Sequence, residues 1–244
     1  MDQNETIRTL TTYEDLARRT VQTLVRPELS DDTVLEGCRE AAARGAAAVL
    51  VRPSDIDAAV RCLDGTGTAP ASVVGFPHGG STTAVKVYET RDLLRRGAKE
   101  IDLVVNIGKL VSRQFQFIET EILQISRACH ESGALLTVTL ENAYLGEDLK
   151  VIAMKICKRC EADFVKTSTG FAPPCAPGGD LALMSRMLRD VCRIEASGGI
   201  VTLDDALEAY GQGAERIGTE CAAAILGAWK ARLEAQAKDA SITE

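Results

Sequence analysis

Eight times along the chain, a short apolar run is followed by a longer amphipathic stretch. The short runs are Val21–Val25, Ala47–Val51, Ser72–Gly75, Glu100–Asn106, Leu135–Glu141, Phe164–Thr167, Arg193–Ser197 and Arg216–Gly218. Each is short and rich in branched residues, as a strand buried on both faces must be. Between them, apolar residues recur at helical spacing near 31–45, 54–63, 82–96, 113–131, 147–160, 179–189, 203–211 and 220–236. Ser30, Thr82 and Thr202 supply side-chain oxygens where three of these helices should begin. Gly45, Gly97, Gly133 and Gly213 fall where helices should end. Strict strand–helix alternation makes the strands parallel, and eight units within 244 residues close into a single (β/α)8 barrel, a TIM barrel. An open doubly wound sheet is the other solution, but GxGxxG and a P-loop are both absent. One domain is expected over 1–244, with 1–16 as an N-terminal extension containing a helix and 237–244 as a frayed tail.

Charge and composition narrow the function. Asp and Glu number 35 against 28 Lys and Arg, a net charge of −7, which disfavours nucleic acid or an anionic membrane as partner. His78 and His130 are the only histidines, so a three-histidine zinc site is excluded. Cys157 and Cys160 have CxxC spacing but no second ligand pair, and within a helical stretch they read as small packing residues. Neither a metal nor another cofactor is expected. No apolar run approaches the roughly 20 residues of a membrane span, and the polar, acidic start lacks a signal-peptide core. The expected setting is cytoplasmic, with reduced thiols.

Four strands carry a charge where an apolar residue would pack better: Asp102 in EIDLVVN, Glu141 in LTVTLEN, Lys166 in DFVKTST and Glu195 in RIEASGG. An isolated buried charge costs several kcal/mol, so these form an interior ion network or carry chemistry. A desolvated lysine amine can attack a carbonyl to form a Schiff base, with a carboxylate such as Asp102 moving the proton. Thr167, Ser168 and Thr169 offer hydroxyls, and Gly170 permits a tight turn. Ser197-Gly198-Gly199 and Gly218 end the last two strands, where barrels commonly bind phosphate on backbone N–H groups.

The segments VVGFPHGGSTTAVKVYET, GAKEIDLVVNIG, ADFVKTSTGF, ASGGIVTLDDAL and GAERIGT resemble the deoxyribose-phosphate aldolase family, over roughly residues 17–228. The resemblance implies a metal-free Schiff-base aldolase joining acetaldehyde to glyceraldehyde 3-phosphate, often as a homodimer. It places the Schiff-base lysine at Lys166, the proton-transferring aspartate at Asp102, and phosphate on Gly170, Gly198, Gly199 and Gly218. Glu195 and Glu141 are further catalytic candidates, and Thr167, Ser197 and Glu220 further substrate contacts.

Several positions depart from the family pattern. Glu195 stands where a second lysine is usual, Val201 where a cation often follows the glycines, and Glu220-Cys221 where a serine pair is usual. Val21-Gln22-Thr23 replaces a D-H-T motif, Asn142 follows Glu141 in place of Thr or Ser, and no tyrosine occurs after Tyr210. A glutamate beside the nucleophile favours the unreactive ammonium, and Glu220 would repel a phosphate. Three readings follow: the family's own reaction, a Schiff-base aldolase for an unphosphorylated or amino-bearing carbonyl compound, or a barrel that binds without catalysis.

Overall fold

A computed structural model describes residues 10–173, 177–189 and 191–242. Its elements follow the expected alternation. In chain order they are α1 (Tyr13–Ala17), β1 (Thr20–Leu24), α2 (Asp31–Ala43), β2 (Ala48–Val51), α3 (Ile56–Leu63), β3 (Ala69–Val74), α4 (Thr83–Arg95), β4 (Glu100–Val104), α5 (Ile107–Val111), α6 (Phe115–Glu131), β5 (Leu135–Thr139), α7 (Glu147–Arg159), β6 (Phe164–Lys166), α8 (Pro177–Leu188), β7 (Arg193–Ser197), α9 (Leu203–Gly211), β8 (Arg216–Thr219) and α10 (Ala222–Ile242). All eight strands are parallel, and β8 closes on β1 with Val21 opposite Gly218. The fold is therefore the single-domain (β/α)8 barrel expected. Among the described residues, no helix is long and apolar enough to cross a membrane.

The expected helix starts hold. Ser30, Thr82 and Thr202 accept hydrogen bonds from the N–H groups of Thr33, Val85 and Asp205. Two strands are shorter than the apolar runs suggest. β4 stops at Val104 because Asn106 turns its side chain onto the N–H of Lys109 and opens α5, a helix the periodicity did not predict. β5 stops at Thr139, two residues before Glu141, which adopts φ +56°. The C-terminal helix runs to Ile242, past the expected frayed end, through a stretch rich in strong helix formers.

Strand alternation splits the barrel interior into two halves. Val21, Val25, Ala48, Leu50, Ala71 and Val73 make an apolar cluster inside β1–β3. The inward positions of β4–β8 include Glu100, Asp102, Thr137, Thr139, Lys166, Glu195 and Arg216, all buried. Outward neighbours such as Ile101, Leu103, Leu136, Val138, Val165, Ile194 and Ile217 join the helices in the main core. Lys86 on α4 is fully buried against α6 and ion-paired, bonded to Glu121 at 2.8 Å and to the Val104 carbonyl at 2.7 Å. His78 is exposed, and Cys157 and Cys160 are buried free thiols.

Candidate active site

Lys166 ends β6, with Phe164 and Lys166 turned inward and Val165 outward into the helical layer. Its ammonium lies 2.7 Å from Asp102 Oδ2 and 3.3 Å from Glu195 Oε1, and its side chain is only 2% exposed. These three sequence-predicted residues are thus brought together from β6, β4 and β7. Thr139 on β5 donates to Asp102 Oδ1 at 2.5 Å, which leaves the other oxygen for Lys166.

Two further charges complete the network. Arg216 on β8 donates to Glu100 Oε2 at 2.8 Å, and its Nε lies 3.4 Å from Glu195 Oε2. Glu100 also accepts from Thr137 at 2.8 Å. The Arg216 and Arg193 guanidinium groups lie 4.3 and 3.9 Å from the Phe164 ring centroid. Arg216 also lines a cavity of about 360 Å³ at the N-terminal end of the barrel, so the polar network extends towards the barrel floor. Neither Arg216 nor Glu100 was singled out from sequence. Each opens its strand, where a charge reads as an exposed strand end.

Three buried carboxylates therefore face two buried cations, and one surplus negative charge is costly there. Burial drives the Glu195 carboxyl above its usual pKa, against the opposing pull of Lys166 and Arg216. Burial also works to lower the Lys166 pKa, but Asp102 and then Glu195 outweigh it and hold the amine above the ordinary lysine range. The two carboxylates thus hold Lys166 as an ammonium, while burial biases Glu195 towards its neutral form.

The remaining candidates divide by position. Glu141 does not touch Lys166. It accepts from Ser168 Oγ at 2.7 Å, from the Thr169 N–H at 3.1 Å and from the Thr169 hydroxyl, and so holds the loop that follows β6. Thr167 is occupied with the neighbouring strand, donating to the Ser197 carbonyl and accepting its N–H, both at 2.9 Å. Gly170, Gly198 and Gly199 all adopt positive φ in loops at the C-terminal mouth. Gly218 has a different constraint, because a Cβ there would lie 2.8 Å from Glu195 Oε1. Only glycine leaves Glu195 its place beside Lys166.

Glu220 does not present a bare charge to the mouth. Arg26, just after β1, donates to its carboxylate at 2.6 Å, and the Arg26 guanidinium lies 4.7 Å from the Phe171 ring centroid. Phe171 in turn meets Phe76 edge-on at 5.2 Å. Side chains that follow β1, β3, β6 and β8 thereby form one contact chain at the mouth. Nothing local marks Arg26 in the sequence, since its partner lies 194 residues away.

A family model described as DeoC/LacD family aldolase matches residues 1–224. A deoxyribose-phosphate aldolase of Clostridium perfringens is 35% identical over 212 residues, 87% of this chain and 94% of that protein. One of Bacteroides thetaiotaomicron is 37% identical over 227 residues, 93% and 95% of the two chains. Among solved structures, the deoxyribose phosphate aldolase of Aeropyrum pernix, described as a unique tetramer, superposes with a TM-score of 0.84 at 29% identity, covering 91% of this chain and 93% of that one.

Proposed function

The chain belongs to the DeoC/LacD family of aldolases, which are carbon–carbon lyases, and on that premise we propose that it cleaves 2-deoxyribose 5-phosphate reversibly to acetaldehyde and glyceraldehyde 3-phosphate through a Schiff base on Lys166. One observation carries this reading: a buried lysine amine 2.7 Å from a buried aspartate inside the barrel.

Asp102 first takes the ammonium proton, and the freed amine adds to the C1 aldehyde of the open-chain sugar. Asp102, now carrying that proton, donates it to the carbinolamine hydroxyl, which leaves as water and gives the iminium, with Glu195 3.3 Å from the lysine nitrogen on the other side. A base takes the proton of the C3 hydroxyl. The C2–C3 bond breaks, its electron pair moves to the iminium nitrogen, and glyceraldehyde 3-phosphate departs. Protonation of the enamine at C2 and addition of water release acetaldehyde and return the amine. Glu141 acts on Lys166 through the loop it holds and is a positioning residue. Thr167, Ser197, Gly170, Gly198, Gly199 and Gly218 form the substrate wall above the lysine. A homodimer in the cytoplasm belongs to the same reading; the Aeropyrum pernix relative, described as tetrameric, supports self-association but not that number of chains.

Borohydride trapping tests it. The protein is incubated with 2-deoxyribose 5-phosphate or acetaldehyde, reduced, and weighed intact. A covalent adduct that disappears in Lys166→Ala is expected, and absence of any adduct from neutral to moderately alkaline pH overturns the reading. The Glu220 carboxylate at the mouth favours a second reading, in which the preferred carbonyl compound lacks a phosphate. Stronger labelling by unphosphorylated aldehydes than by the sugar phosphate would establish that one instead.

A further inference from the structure

We propose that Arg26 reads the anionic far end of the substrate, and that Glu220 is an internal carboxylate occupying Arg26 while the site is empty. The inference rests on the aldolase reading and adds a residue on the β1 side of the mouth to it.

The placement fits. Gly218 lies against the Glu195 carboxylate, which contacts Lys166. Glu220 follows two residues later, roughly 6.6 Å further along an extended chain. That is the order of reach of a five-carbon chain whose first carbon is bonded to Lys166. Both partners have anchored backbones. Arg52 donates to the carbonyls of Arg26, Pro27 and Leu29 at 3.3, 3.2 and 3.0 Å, and is itself held by Asp55 at 2.6 Å. Gln22 donates to the Glu220 carbonyl at 3.1 Å. Phe171, five residues after Lys166, lies against the Arg26 guanidinium.

The pair is also open to exchange. The Arg26 and Glu220 side chains are 36% and 46% exposed, and ion pairs in such surroundings are weak. A phosphate offers a guanidinium a bidentate contact, which is stronger than the single Nε–carboxylate bond present. The displaced Glu220 carboxylate then remains close to the phosphate and repels it. The neutral pair thus tempers the preference for phosphorylated substrate, and the two residues push that preference in opposite directions.

The experiment measures kcat/KM for 2-deoxyribose 5-phosphate and for 2-deoxyribose on the wild type, Arg26→Gln and Glu220→Gln, together with inhibition by inorganic phosphate. Arg26→Gln is expected to lower the phosphorylated-to-unphosphorylated ratio by at least about tenfold, the loss of one charge-assisted contact. It is also expected to weaken phosphate inhibition. Glu220→Gln is expected to raise the ratio and strengthen inhibition. A ratio unchanged in Arg26→Gln, or unchanged or lowered in Glu220→Gln, overturns the proposal. Acetaldehyde has no far end, so its trapping by the wild type reports on the aldolase reading separately. If acetaldehyde labels Lys166 and the ratios do not diverge, only the role of Arg26 and Glu220 fails.

Discussion

Glu195 reverses the charge beside Lys166 relative to the second lysine that the family resemblance places there. The consequence is a heavily protonated amine at rest, with Asp102 and Glu195 both stabilising the ammonium. Because its pKa lies above the ordinary lysine range, the neutral, reactive fraction is small at pH 7 and grows as pH rises. Glu195→Lys removes one of those stabilising charges and adds a repelling one. The pH dependence of acetaldehyde trapping is then expected to move to lower pH by about 1–3 units. An unmoved profile would mean that Glu195 does not set the state of Lys166. At this scale Lys166, Asp102 and Glu195 were legible because a charge inside an apolar strand is costly and stands out. Arg216 and Glu100 were not, because each begins its strand and only barrel closure brings both inside.

Between elements, the helical layer holds a buried pair of its own. Lys86 on α4 and Glu121 on α6 are both fully buried, and burial lowers the pKa of the first and raises that of the second. Lys86→Met leaves Glu121 uncompensated and is expected to cost about 3–5 kcal/mol in urea unfolding. The double variant Lys86→Met, Glu121→Leu is expected to recover most of that loss, whereas a double variant no more stable than the single would assign the cost to packing alone. The helical pattern placed Lys86 on α4 but not on its buried face, because a lysine carries no apolar mark. Its burial is decided by α6, whose Glu121 lies 35 residues later in the chain. Asn106 shows a related limit: the apolar run through Val105 read as strand, while the asparagine cap made it the start of a helix.

At the scale of the molecule, closure joins the two ends of the chain. Trp229, the single tryptophan, is buried on α10 and donates to the Thr12 carbonyl at 2.9 Å, docking the last helix beside the first. Trp229→Ala is expected to cost roughly 3–5 kcal/mol in equilibrium unfolding, as large buried aromatics do. A loss below about 1 kcal/mol, the order of a single hydrogen bond, would show that α10 adds little to the barrel.

The sequence by itself determined the eight strands, the order of the main helices between them, and that Lys166 lies inside an apolar strand. Those features rest on local periodicity and on the cost of burying a charge, both readable within a few residues. Tertiary structure decided the pairings. Arg216 meets Glu100 across 116 residues of chain and Arg26 meets Glu220 across 194. Which charge compensates which depends on where a closed barrel sets its strand ends, and no stretch of sequence carries that distance.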